Sequence, residues 1–180
     1  MIYDKALVTV TTTSEDYGSG VVVFEDERHS WVLTCAHVVS KGRVIVKDRS
    51  GKSYRGTVKK VNAKNDLCLI KLSTRIYAKL ELAKNEPQLF DEVFVCGTPP
   101  GYRIASKATF CGSDKDCGGD YCITGGVTMP GCSGGAVIND DGDLVGLITT
   151  VAKDGNLPVW GICWAVSLEK LHSFLKKMPK

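Results

Sequence analysis

Apolar and polar residues alternate with a period of two along most of the chain, the spacing of strands with one buried face. β-Branched and aromatic residues gather in short runs at 6–12, 20–24, 31–35, 43–47, 53–61, 67–72, 92–96, 105–110, 121–127, 136–138, 144–151 and 159–166. Gly, Asp, Asn, Ser or Pro separates one run from the next. A dozen short strands at this spacing predicts an all-β sandwich or barrel.

Helical spacing occurs once. Leu168, Leu171, Phe174 and Leu175 form one apolar stripe over 167–177, with Ser167 placed to cap it and Pro179 to end it. Residues 36–40 have room for a single turn. The stretch 73–88 is weakly patterned and contains Pro87, so it is the expected connection between two halves. The organisation read from the pattern is all-β and two-barrelled: an N-terminal barrel over 1–75, a connection over 76–87, and a second barrel with the helix over 88–180.

Composition narrows the class. A chain of 180 residues, 43% hydrophobic and 24% charged with 19 glycines, is globular and rich in turns. Its net charge of +3 is the small difference of 23 basic and 20 acidic residues scattered along the chain. That describes a solvated surface, and no nucleic-acid partner is expected. Lys170, Lys176, Lys177 and Lys180 cluster near the end of the expected helix, where the helix dipole favours cations. No apolar run reaches the ~18 residues a membrane helix needs, so no membrane association is expected. The N-terminal MIYDKALVTVTTT lacks a basic segment followed by an apolar core. The expectation is a cytoplasmic protein, or one whose sequence starts at a processed end.

The eight cysteines divide in two. Cys35, Cys68, Cys96 and Cys163 sit in apolar runs, where a cysteine serves as a small core residue. Cys111, Cys117 and Cys122 crowd a Gly/Asp-rich segment without a Cys-x-x-Cys pair. Free thiols are the expectation there, with zinc or a loop disulfide as alternatives.

Three segments carry candidate chemistry. WVLTCAHVV sets His37 just past a buried strand, NDLCLIKL sets Asp66 at the head of another, and MPGCSGGAVI sets Ser133 on a glycine-rich bend. A serine hydroxyl needs a neutral imidazole to take its proton. The imidazole needs a carboxylate on its other nitrogen to fix the tautomer. A developing oxyanion needs backbone N–H donors, and the glycines let those of Gly131 and Ser133 point the same way. Each signal alone is weak; their joint occurrence in the order His, Asp, Ser is specific.

TCAHVV, NDLCLIKL and GCSGGAVINDDGDLVGL resemble the three motif blocks of trypsin-like serine peptidases, most of all the HtrA/Deg-type protease domain. VCGTPPG over 95–101 resembles the Gly-x-Pro-x-Gly loop of the same group. The likeness runs over 18–166. It implies two six-stranded barrels packed at an angle, a cleft between them, and a serine endopeptidase acting on protein or peptide substrates without a cofactor or metal. His37 would be the base, Asp66 its orienting carboxylate and Ser133 the nucleophile, with Gly131 and Ser133 forming the oxyanion hole. A non-catalytic peptide-binding module on the same fold is the competing reading.

Departures from the family pattern sharpen the picture. Cys132 stands where secreted trypsins carry the aspartate that pairs with a released N-terminus, and no Ile-Val-Gly-Gly start is present. Val38 replaces a half-cystine, which favours a reducing compartment. The length leaves no room for a PDZ domain, so a stand-alone peptidase, of phage or viral type and monomeric, is expected. Some viral relatives use cysteine as nucleophile, but the Gly134–Gly135 pair follows Ser133, so the register selects serine over Cys132. Val127 stands where trypsins carry the pocket aspartate, which argues against an Arg or Lys preference. Val127, Thr128, Thr149 and Ile162 would form a modest apolar pocket for an aliphatic residue, and Thr149, Thr150 and Val151 the edge that pairs with substrate.

Overall fold

The computed structural model describes residues 2–114, 118–154 and 157–176. Its strands are β1 (Leu7–Thr12), β2 (Tyr17–Glu25), β3 (Ser30–Cys35), β4 (Val44–Lys47), β5 (Ser53–Asn62), β6 (Leu67–Leu72), β7 (Glu92–Gly97), β8 (Ile104–Asp114), β9 (Asp120–Thr124), β10 (Ala136–Ile138), β11 (Leu144–Asp154) and β12 (Leu157–Val166). They close into two antiparallel barrels, ordered β1-β2-β3-β6-β5-β4 and β10-β11-β12-β9-β8-β7. The second order is the first one shifted by six strands and read backwards, so the two barrels share a topology although the sequence has no visible repeat. This is the chymotrypsin-like fold.

The strand β6 shows why its sequence is nearly continuously apolar. Leu67, Cys68, Leu69 and Ile70 are all fully buried, so both faces of the strand are covered, and all four belong to the core cluster that both halves share. The larger core cluster holds first-barrel residues such as Leu33 and Ile70 together with Ala136, Leu144, Leu147 and Phe174 from the second half. Each such side chain, fully removed from water, contributes roughly 1.5–3 kcal/mol. One shared core therefore fixes the two barrels against each other.

The connecting segment is stitched to both. The N–H of Leu80 donates to Val22 O at 2.9 Å, that of Ala83 to Leu144 O at 3.0 Å, and that of Leu144 to Glu81 O at 2.8 Å. A C-terminal helix α2 (Leu168–Leu175) buries Leu168, Leu171 and Phe174. Ser167 occupies the capping position, but its side chain makes no capping bond; the Leu168 N–H is instead met by the Tyr121 hydroxyl at 3.0 Å. The cap expected from the neighbouring serine is thus supplied from β9.

Other expectations shift at their edges. A short helix α1 (Ile2–Ala6) precedes β1 where the pattern gave no helix. The strand expected over 121–127 stops at Thr124 because Gly125, with φ of 82°, turns the chain out of the sheet. The helix expected to 177 ends at Leu175, and Pro179 and Lys177 and Lys180 of the basic cluster lie outside the described residues. Cys35, Cys68, Cys96 and Cys163 are buried. The Cys111 Sγ lies 3.1 Å from Thr124 Oγ1, Cys122 is half-buried on β9, and Cys117 lies outside the described residues. Among the described residues no helix is long and apolar enough to cross a membrane.

Candidate active site

The two barrels meet where three of the chain's turns converge. After β3 the chain makes a single 3-10 turn over Ala36–Val39, which carries His37 out of the buried strand and leaves it exposed. Asp66 stands at the head of β6 with a φ of 52°. This left-handed conformation is one that Asp tolerates better than most non-glycine residues. It lets one carboxylate serve both parts of His37. Asp66 Oδ1 accepts the His37 backbone N–H at 2.9 Å, and Oδ2 lies 2.6 Å from Nδ1.

These contacts set the charges. The Asp66 hydrogen bond raises the His37 pKa above 6.5, burial works against it, and the carboxylate charge adds to the rise. Burial pushes Asp66 up, but the hydrogen bonds and charge of His37, with the Cys35 thiol, outweigh it and hold the carboxyl below its ordinary value of 3.8. An ionised carboxylate facing Nδ1 keeps the proton there and leaves Nε2 as the free base.

Ser133 follows a turn built for tight curvature. The Cys132 N–H donates to Met129 O at 3.0 Å, with Pro130 and Gly131 at the two central positions. Gly131 has a φ of 96°, which a type II turn demands at that place. Gly134, with φ of 84°, packs so closely on Ser19 O and Thr34 Oγ1 that any Cβ there would collide. Among the described residues, the N–H groups of Gly131 and Ser133 donate to no protein acceptor. They are two open donors, one residue apart on the same bend.

The serine hydroxyl itself donates to the Thr149 carbonyl at 2.7 Å, not to His37. Thr149 lies on β11 just past the register in which Leu147 pairs with Ala136 of β10. From there to Ala152 the strand is paired only on its β12 side, so one edge is open beside the nucleophile. Thr150 is exposed and Val151 half-buried along this edge. Ile162 pairs with Thr124 across β12 and β9. Val127 is 58% exposed and its N–H donates to Ser106 Oγ. Thr128 is buried, and among the described residues its hydroxyl has no partner.

Two thiols lie near the site. Cys132 is buried, which raises its pKa against a smaller opposing bond to Met129, and its Sγ packs on Gly97. Cys35 is fully buried, and burial and the Asp66 charge push its thiol well above the ordinary range. Its Sγ donates to Ile148 O at 3.3 Å. The Cys35, His37 and Asp66 ligand atoms lie within 4.8 Å of one another. The imidazole and carboxylate are already engaged with each other and the thiol is protonated, so this set is poorly suited to holding a cation.

Sequence reading missed Ser19. It is fully buried in β2, and its side chain donates to Gly131 O at 2.7 Å while its N–H donates to Ser133 O at 2.8 Å. A hydroxyl inside an apolar run carries no local signal of such a partner.

Comparison with known proteins identifies the family and the fold. The family model described as trypsin-like peptidase domain matches residues 18–147. Serine protease HTRA1A of Danio rerio is 29% identical over 97% of this chain and 36% of its own length. Serine protease HTR4 of Bos taurus is 31% identical over 87% of this chain and 33% of its own. The chain therefore spans about a third of these relatives. The crystal structure of the serine endoprotease from Yersinia pestis superposes with a TM-score of 0.83 at 20% identity, covering 97% of this chain and 63% of that one; it supports the fold. With a family match over most of its length, and the motif histidine, aspartate and serine on three converging turns, the chain belongs to the trypsin-like peptidase domain family.

Proposed function

We propose that the protein is a serine endopeptidase that cleaves protein or peptide substrates through an acyl-enzyme, with Ser133 as nucleophile, His37 as base and Asp66 as its orienting carboxylate. The observation that carries this reading is the 2.6 Å contact between His37 Nδ1 and Asp66 Oδ2, reinforced at the backbone by Oδ1.

The steps follow from the positions. An extended peptide adds to the open edge of β11, and rotation about the Ser133 side chain turns its hydroxyl from Thr149 O towards Nε2 of His37. The oxygen attacks the scissile carbonyl as its proton passes to Nε2, and Asp66 stabilises the imidazolium without taking its proton. The carbonyl oxygen, now carrying the charge, settles against the N–H groups of Gly131 and Ser133. The imidazolium returns its proton to the departing amine, leaving an ester on Ser133. Water, deprotonated by His37, then releases the acid and regenerates the hydroxyl.

Val127, Thr128, Thr149 and Ile162 supply no acidic group, so the residue before the scissile bond is aliphatic, not basic. Preference of this kind is modest, since one methylene changes selectivity by about 1–3 kcal/mol. Residues 1–75 and 88–180 act as one peptidase unit, because neither half holds a complete site. The purified protein should cleave members of a mixed peptide library after aliphatic residues, and Ser133→Ala should abolish every cut. Cleavage that survives in that variant, or a wild type that binds peptides without turning them over, would overturn the proposal.

A further inference from the structure

We infer that Ser19 is a positioning residue for the oxyanion donors: one buried side chain and its own N–H lock the bend that aims the N–H groups of Gly131 and Ser133. The inference rests on the endopeptidase reading above and adds a residue that does not touch substrate.

The geometry is specific. Strand β2 runs past the last residue that β3 pairs, Val21, so the backbone at Ser19 has an open edge turned to the second barrel. There its N–H donates to Ser133 O at 2.8 Å, its Oγ donates to Gly131 O at 2.7 Å, and the same Oγ accepts the Thr98 N–H at 2.8 Å. Its own carbonyl accepts Thr34 Oγ1 at 2.7 Å. Each polar atom of Ser19 is therefore held, and Ser19 has no exposure to solvent.

The consequence lies in the planarity of the peptide unit. Gly131 O and Ser133 O belong to the peptide planes that follow each donor residue, and Ser19 fixes both. Between those two planes lies the Cys132–Ser133 unit. Its carbonyl is bonded to the Gly135 N–H at 2.8 Å, so the Ser133 N–H points the opposite way. On the other side, Pro130 has a ring-fixed φ, so the unit carrying the Gly131 N–H is bounded by Pro130 before it and a clamped plane after it. Glycine at 131 and 134 makes the bend possible but leaves its dihedrals soft. The clamp supplies the stiffness that the glycines remove, and donors that are already aimed need no reorganisation as charge develops.

Ser19→Ala removes the bond to Gly131 O and leaves that carbonyl and the Thr98 N–H unpaired, while the Ser19 N–H bond to Ser133 O survives. Ser19→Thr keeps the hydroxyl. The test measures kcat per active site, titrated by the acylation burst, together with KM, the pH midpoint and the thermal midpoint. Deleting an oxyanion donor outright costs about 10²–10³ in kcat, so loosening two should cost roughly 10- to 100-fold. The expected result for Ser19→Ala is that fall in kcat per titrated site with KM and the pH midpoint held, and its recovery to within about threefold in Ser19→Thr. A purely structural role would lower the thermal midpoint and the titrated fraction but leave kcat per site within twofold, and that result overturns the inference. Should the alanine variant not fold, Ser19→Cys, which keeps the shape and weakens the donation, carries the same reading with the same two outcomes. A wild type that gives neither a burst with an activated ester nor cleavage of a peptide overturns the endopeptidase reading, and this inference with it. A wild-type burst alongside an unaffected Ser19→Ala overturns this inference alone.

Discussion

The hydroxyl of Ser133 rests on the carbonyl of Thr149, 2.7 Å away, so the nucleophile and the open substrate edge share one acceptor. A peptide that pairs with this edge brings its own N–H to the same oxygen, and the hydroxyl is then released towards His37. Substrate whose residue before the scissile bond is N-methylated cannot make that exchange. We expect its kcat/KM to fall about tenfold, the equivalent of one hydrogen bond of roughly 1.4 kcal/mol. Matched peptide pairs measured side by side check this, and equal rates would remove Thr149 from the binding edge.

Asp66 combines a charge with an unusual backbone conformation, and the two separate under substitution. Asparagine accepts a φ of 52° as readily as aspartate does. Asp66→Asn is expected to melt within a few degrees of wild type while kcat falls by up to ~10⁴, because the amide favours the wrong imidazole tautomer. Calorimetry and steady-state kinetics on one preparation test both halves.

The pH dependence follows from the direction of the His37 shift. The Asp66 hydrogen bond raises the imidazole pKa above 6.5, and the base acts only when neutral. Activity should therefore rise with pH through a midpoint above 6.5, and that midpoint should drop in Asp66→Asn. The stability effect has the opposite sign: the protonated His37 pair contributes most below pH 6.5, and its contribution is lost as pH rises through the folded pKa. Asp66, held below 3.8, contributes above that value and loses its contribution as pH falls through its lowered pKa. A kcat/KM profile flat from pH 5 to 9 would contradict the assignment of His37.

The helix cap offers a test of stability without chemistry. Tyr121 is buried, packs edge-on against Phe110 with centroids 4.9 Å apart, and offers its hydroxyl to the Leu168 N–H. Tyr121→Phe should cost about 1 kcal/mol, read from chemical denaturation, with kcat unchanged. Ser167→Ala should cost less, because the Ser167 side chain makes no capping bond.

What the sequence made legible was local, and what it hid was not. The period-two runs gave both barrels, and β6 begins and ends where its apolar run does, at Leu67 and Leu72. The β11–β12 ribbon reaches further than its apolar positions, to Asp154 and back from Leu157, because an exposed hairpin tolerates polar residues that a core pattern does not count. His37, Asp66 and Ser133 stood out as candidates only together, because three individually weak signals beside apolar runs occur in the order His, Asp, Ser. Ser19 and Tyr121 did not stand out, since their partners lie 112 and 47 residues away and nothing local distinguishes them from residues filling a strand.

The most direct test of the central claim is the site of covalent capture by a fluorophosphonate, mapped by mass spectrometry of the digested protein. The account predicts a single adduct on the peptide containing Ser133, lost in Ser133→Ala, retained in Cys132→Ala and slowed by at least ~10³ in His37→Ala, where no base takes the proton. An adduct on Cys132, or a labelling rate at Ser133 that does not depend on His37, would contradict it.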